Sequence, residues 1–239
     1  MILNKELKDL ADSQWIDYFG VADLKTAREV VLEQGGPEAA GFPYAVSLGI
    51  VLNQHLVDQL PRRNEKSVAL NYKHHASTVI YHRLDTASSI IAGYIDKKGY
   101  RALPLPASER INDERLFASF SHIMAAHLAG LGWIGKNCLL VTPQYGPRVN
   151  WTTILTDAPL EPTGKLQEQK CGRCNRCVDI CPLQALTGRP FVAGEPREAR
   201  YDAEKCDNFY NLMKSKGEPG VCGMCLYVCP HGNKKTVKS

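Results

Sequence analysis

Long apolar runs are missing from this sequence. No stretch of 18 apolar residues occurs, which excludes a membrane-spanning helix of ordinary length. The N-terminus, MILNKELKDL, is interrupted by charge at once, so it carries no secretory h-region, and there is no twin-arginine signal. Low-complexity tracts are absent. So is strong charge of one sign: the formal net charge is +4, and the tail residues Lys234, Lys235 and Lys238 supply much of it. That reads as a solvated terminus and makes no case for nucleic acid. Cysteine is nearly absent from the first 170 residues, where only Cys138 occurs. These absences predict a cytoplasmic protein with no membrane association. In that compartment thiols stay reduced, and clustered cysteines bind metal or carry redox chemistry.

What is present is ordinary in bulk and uneven in detail. The chain has 239 residues, 44% hydrophobic and 23% charged, as expected of a globular protein that needs no disulfides to hold its core. Eight of its nine cysteines lie between residues 171 and 229. The first run is Cys171-x2-Cys174-x2-Cys177-x3-Cys181-Pro182. The second is Cys222-x2-Cys225-x3-Cys229-Pro230, with Cys206 sixteen residues before Cys222. The first run has the bacterial ferredoxin spacing, in which the fourth cysteine ligates the other cluster. Three cysteines at x2 spacing wrap one cubane, and the fourth, followed by proline, heads away. The expected ligand sets are Cys171, Cys174, Cys177 and Cys229 for one [4Fe–4S] cluster, and Cys181, Cys206, Cys222 and Cys225 for the other. Four-cysteine zinc is the competing reading of paired CxxC motifs. The x2-x2-x3-Pro spacing, its near repetition and the total of eight oppose it. Two neighbouring cubanes form an electron relay, and their binding is expected to contribute folding free energy to a segment with little core.

The preceding part reads as mixed α/β. Helical spacing covers 4–12 and 23–34. Ala45–Leu52 is a short apolar run with β-branched residues, as in a buried strand, and 77–98 carries one long 3.6-residue stripe that ends at Gly99. Arg101–Leu105 reads as a strand that Pro104 confines to an edge. The pattern predicts a helix over 113–128, with Gly130 just past its end, and strands over 138–141 and 149–155. Asp157–Gly164, with two prolines and a glycine, reads as a linker. Cys138 reads as a small apolar residue of its strand. Tyr72-Lys-His-His75 places two histidines side by side, where a strand would point them to opposite faces and keep one metal from taking both.

The densest other motif is Ala129-Gly-Leu-Gly-Trp-Ile-Gly-Lys-Asn137, a backbone that can approach an anionic ligand closely. It is neither a Walker A loop nor a dinucleotide fingerprint. This segment with Cys138-Leu-Leu140, then Leu155-Thr-Asp-Ala-Pro-Leu160, then the two cysteine runs, resembles the epoxyqueuosine reductase family, which is related to the reductive dehalogenases. The resemblance covers about residues 40–232. It implies a nitroreductase-like cobalamin-binding domain over 1–162 and a small ferredoxin-like domain with two [4Fe–4S] clusters over 163–239. By analogy the clusters reduce a corrinoid cobalt, and the protein supplies orientation and proton donors.

The resemblance also names candidates. Gly130, Gly132, Trp133, Gly135, Lys136, Asn137, Arg148 and Thr156 are expected to bind the cofactor. Lys136 and Arg148 suit propionamide or phosphate groups. The family's acidic residue is matched here by Leu116, so His122 and Tyr145 are the candidate proton donors. The family's C-terminal helical-repeat region, which helps to hold tRNA, has no counterpart in this chain. On those two departures, and for want of a basic aromatic surface pattern, tRNA is not expected as a partner. The expected partners are a reduced ferredoxin or flavodoxin as donor, and a small-molecule substrate or a corrinoid protein as acceptor. The alternative function is an electron-transfer or activating protein that reduces a corrinoid or flavin on a partner, and FMN is the alternative cofactor.

Overall fold

The structure, a computed structural model, describes residues 2–114 and 116–232. Helix α1 (Ile2–Ser13) buries Leu7 and Ala11, one turn apart. After strand β1 (Tyr18–Asp23), the Asp23 carboxylate accepts the Lys25 N–H at 2.8 Å and turns the chain toward helix α2 (Arg28–Ala40), which is kinked at Gly36 (φ 74°) and Pro37. Strand β2 (Tyr44–Val51) is buried everywhere except its two ends. The Asn53 side chain caps helix α3 (Gln54–Asp58). Helix α4 (Lys66–Lys73), a π-helical stretch His74–Val79, and helix α5 (Ile80–Lys97) follow. Then come strand β3 (Ala102–Leu105), helix α6 (His122–Leu128), and the short strands β4 (Trp133–Ile134) and β5 (Leu140–Val141). Strand β6 (Val149–Thr156) and helices α7 (Arg176–Asp179), α8 (Ala203–Ser215) and α9 (Met224–Tyr227) complete the order. Among the described residues no helix is long and apolar enough to cross a membrane.

The chain forms two compact units, and neither is a continuous segment. The first comprises the described residues of Met1–Ile50, Ile80–Leu131 and Asn150–Gln167. The second comprises those of Val51–Val79, Gly132–Val149 and Glu168–Ser239. The sequence boundary at residue 162 is therefore not where compactness changes: two internal segments join the cysteine-bearing one.

The first unit is built on a four-stranded sheet in the order β1-β2-β6-β3. Strands β1 and β2 pair antiparallel with Val21 opposite Val46, and β3 pairs antiparallel with β6, Pro104 opposite Ile154. The edge place of β3 suits Pro104, which has no N–H for a second neighbour. Helix α5 covers β3, burying Ile80, Leu84, Ala87, Ile91 and Ile95 at three- and four-residue intervals. A second apolar cluster joins Leu24, Val31, Phe42, Phe120 and Leu155. Gly49 has a specific reason to lie in β2: a Cβ there would sit 2.6 Å from the Trp151 ring.

Several expectations met a different structure. The helix expected over 113–128 is formed only from His122. Asn112 and Phe117 pair as an antiparallel bridge, and Leu116, at φ 54°, is left-handed, which no helix accepts. The helix expected over 23–34 begins at Arg28. Cys138 is not in a strand; it lies in a turn at φ 59°, and its N–H donates to the Gly135 carbonyl. Residues 72–75 are helical rather than extended, and the His75 Nε2 accepts the Asn53 N–H at 2.9 Å. The expected linker is docked on the first unit. Thr163 exchanges two hydrogen bonds with Val21, and Asn4 exchanges two with Glu161. Lys234, Lys235 and Lys238 lie outside the described residues.

Candidate iron–sulfur centre

Both cysteine runs belong to the second unit, and each is a tight turn followed by a one-turn helix. The Cys174 N–H donates to the Cys171 carbonyl, α7 carries Cys177, and the Cys181 Sγ accepts the Ala185 N–H at 3.4 Å. In the second run Gly223, at φ 64°, turns the chain into α9, which carries Cys225. Cys206 stands on α8, capped by Asp202, whose carboxylate accepts the Lys205 N–H.

The thiols influence one another in two sets. Burial pushes Cys177 up to about 11, and the neighbouring Cys171 and Cys229 add to that. Burial likewise raises Cys229, with Cys171 and Cys174 contributing. Those four are one quartet. Burial takes Cys225 up to about 12, reinforced chiefly by Cys222 and Cys206 and then by Cys177 and Cys181. Cys206 is raised by burial and by Cys181, Cys222 and Asp202. These mutual influences run along the two ligand quartets expected from spacing, and Cys177 also acts on Cys225. The first quartet lines a small, partly open pocket together with Lys136, Asn137, Arg176 and His231. Among the described residues no three Cys, His, Asp or Glu side chains are placed to hold one metal ion directly.

The glycine-rich segment serves this site directly. Lys136 is only 8% exposed, and its ammonium donates to the Gly172 carbonyl at 3.0 Å and to Asn175 Oδ1 at 2.9 Å, inside the first cysteine run. The Asn137 amide donates to the Cys225 carbonyl at 3.3 Å, inside the second. Gly132 is required by the β4–β5 pair, where a Cβ would overlap the Val141 carbonyl oxygen. Trp133, in β4, forms an apolar cluster with Val141 and Cys229, and Cys171 packs against that cluster. Gly135 faces Asn137 Oδ1 and Val141, while Gly130, at φ 76°, belongs to the first unit, where it lies against Gly164 and Lys165.

The polar side chains expected to hold a corrinoid are otherwise engaged. Lys136 is spent on the first cysteine run. Arg148, 1% exposed, pairs with Asp58 at 2.7 Å and donates to Gln54 and the Tyr227 carbonyl. The buried Thr156 hydroxyl donates to the Arg101 carbonyl at 2.8 Å and accepts the Ala158 N–H. The proton-donor candidates fare similarly. In the first unit His122 has both ring nitrogens occupied, Nδ1 by the Thr153 hydroxyl at 2.9 Å and Nε2 by the Pro106 carbonyl at 3.1 Å, and burial lowers its pKa below the ordinary value. That describes a fixed, neutral histidine rather than a proton donor. Tyr145 is 42% exposed at a turn whose N–H donates to Thr142. The thiol of Cys138 is raised by burial despite Arg200 and Arg197 nearby. Sequence reasoning missed His231, which stands edge-on to Trp133, and Tyr201, whose hydroxyl is hydrogen-bonded to Cys206. The closeness of each to a ligand cysteine in sequence was the only signal.

Residues 170–232 match the family 4Fe-4S double cluster binding domain, so the cysteine segment is a two-cluster [4Fe–4S] segment. The epoxyqueuosine reductase of Listeria monocytogenes is 40% identical over 138 residues, which take in 52% of this chain and 34% of that protein. The chain is similar to the epoxyqueuosine reductases. Its match spans only about a third of that relative's length. Among solved structures, a reductive dehalogenase described by a mechanism for B12-dependent dehalogenation has a TM-score of 0.70 at 20% identity, covering 97% of this chain and 32% of that one. An epoxyqueuosine reductase solved with an epoxyqueuosine-modified tRNA stem loop has a TM-score of 0.59 at 18% identity, covering 98% of this chain and 66% of that one. The shared fold therefore extends over both units. These findings overturn the expectation that tRNA is excluded as a partner: relatives at this identity are named for a modified tRNA nucleoside, and one structure of this fold holds such a stem loop. The leucine at the family's acidic position was too narrow a ground for expecting no tRNA.

Proposed function

We propose that this chain is an iron–sulfur oxidoreductase of the epoxyqueuosine reductase type, which takes electrons from a reduced ferredoxin or flavodoxin through two [4Fe–4S] clusters and delivers them to an epoxide-bearing tRNA nucleoside. The observation that carries the relay is the match of residues 170–232, which hold eight of the nine cysteines, to the 4Fe-4S double cluster binding domain. The substrate class rests on the names of the relatives. In this reading 1–162 supplies a nitroreductase-like fold and 163–239 a ferredoxin-like one.

A corrinoid is the acceptor suggested by likeness to a B12-dependent fold. The polar side chains named for it do not fit that task, since Lys136, Arg148 and Thr156 are all turned to internal partners. That observation favours a second reading, in which the chain reduces a corrinoid or flavin carried by a partner protein. Anaerobic protein reconstituted with iron and sulfide distinguishes the two. Reduction of an epoxyqueuosine-modified stem loop by the chain with free cobalamin supports the first. No turnover, with reduction of an added corrinoid protein, supports the second. Far fewer than about eight iron and eight sulfide per chain, or zinc in their place, refutes both.

A further inference from the structure

Trp133 is 1% exposed and shares an apolar cluster with Val141 and Cys229, against which Cys171 packs; both cysteines are expected ligands of the first quartet. Its indole Nε1 finds no hydrogen-bond acceptor among the described residues. A buried donor left unpaired costs about 1–3 kcal/mol, so its retention beside two cluster ligands points to an acceptor that the polypeptide does not supply. Sulfur of the bound cluster is such an acceptor. Lys136 lines the pocket of the same quartet, and its ammonium has three donors, two of them on neutral oxygens and none on a carboxylate. The first quartet thus has a buried cation and a spare N–H beside it.

The second quartet is surrounded differently. Cys206 follows by one helical turn the Asp202 carboxylate, which caps α8 and pairs with Lys205 at 3.6 Å, and the Tyr201 hydroxyl faces the same thiol. Reduction adds one electron to a cluster. A buried cation and a hydrogen bond to sulfur favour the reduced state, and a nearby carboxylate opposes it.

Resting on the two-cluster reading above, we infer that the Trp133 N–H and the Lys136 ammonium make the Cys171–Cys174–Cys177–Cys229 cluster the higher-potential member of the pair, where an electron entering the relay comes to rest. The two residues are tuning groups and touch no substrate.

The test is an anaerobic redox titration of the full reconstituted chain, followed by electron paramagnetic resonance, for wild type, Trp133→Phe, Lys136→Met and Tyr201→Phe. The first two variants are expected to lower the midpoint of the higher-potential signal, Lys136→Met by about tenfold in the reduction constant, which is about 59 mV for one electron. The other signal stays in place. Tyr201→Phe moves the lower-potential signal alone. The inference is overturned if iron and sulfide remain at wild-type content and neither Trp133→Phe nor Lys136→Met moves the higher-potential signal. It is equally overturned if both act on the lower one, or if Tyr201→Phe moves the same signal as Lys136→Met. A wild-type preparation with no cubane signal removes the two-cluster reading along with it. Should Trp133→Phe fail to fold, Lys136→Met decides alone.

Discussion

Arg148→Met tests whether the second unit is held together by one buried guanidinium. The arginine reaches Asp58 at 2.7 Å and Gln54 at 3.0 Å, both on α3, and the Tyr227 carbonyl at 3.3 Å on α9, between Cys225 and Cys229. Methionine fills a similar length with no donor. Asp58 is half exposed, so its share of the ion pair is screened and contributes about 1 kcal/mol or less. Gln54 can turn to water. The Tyr227 carbonyl loses a charged donor, a change of about 1.5–3 kcal/mol. The sum is roughly 2–4 kcal/mol, a thirty- to several-hundredfold loss in folding constant at about 1.4 kcal/mol per tenfold. Because the lost bond anchors the segment between two ligand cysteines, the cluster-loaded variant is expected to release iron to a chelator faster, alongside a lower urea midpoint. Asp58→Asn should cost about 1 kcal/mol or less. Unchanged midpoint and iron release in Arg148→Met would refute this account of the unit.

Cys206→Ser removes a ligand from one cluster and loosens its neighbour, so it should take cluster content to about four iron and four sulfide per chain or fewer, while Cys138→Ser leaves it unchanged; chemical analysis of anaerobic preparations reads both. Gly49→Ala should destabilise the sheet by about 1–3 kcal/mol, because its Cβ would meet the Trp151 ring at 2.6 Å, and urea unfolding measures it. The pKa of His122 is lowered in the fold, chiefly by burial, so the unfolded chain takes up the proton first. Stability attributable to this histidine is therefore intact above its ordinary pKa of 6.5 and declines as pH falls below that value. The urea midpoint of His122→Gln should fall less than that of wild type between neutral and mildly acid pH. A variant that follows the wild-type curve contradicts the buried, neutral assignment.

The two-cluster segment was legible because a cubane dictates the spacing of its thiolates, and spacing is printed in sequence. Strands β2 and β6 and helix α5 were legible because their apolar periodicity is strong and uninterrupted. Residues 113–121 misled because Leu116, Phe117 and Phe120 are spaced as on a helix, while the chain instead bridges Asn112 to Phe117 and sinks Phe120 into the core. The glycine loop was visible as a place of close approach, but not what approaches it: Lys136 meets Gly172 across 36 residues, a contact no local pattern encodes. Helix α8 went unseen because none of its residues is buried, which leaves no stripe to read. The interleaving of the two units was equally hidden, since composition changes at residue 171 while compactness changes at 51, 80, 132, 150 and 168.

The exchange of one cysteine between the runs has a consequence for damage. In the ligand sets expected from spacing, Cys229 joins the first run and Cys181 the second, and the thiols act on one another along those lines. Each cluster so held would bridge both cysteine runs, and oxygen that dissolves one would untie an end of the other. The pair should fail together, giving a steep loss of colour on exposure to air rather than two separate steps.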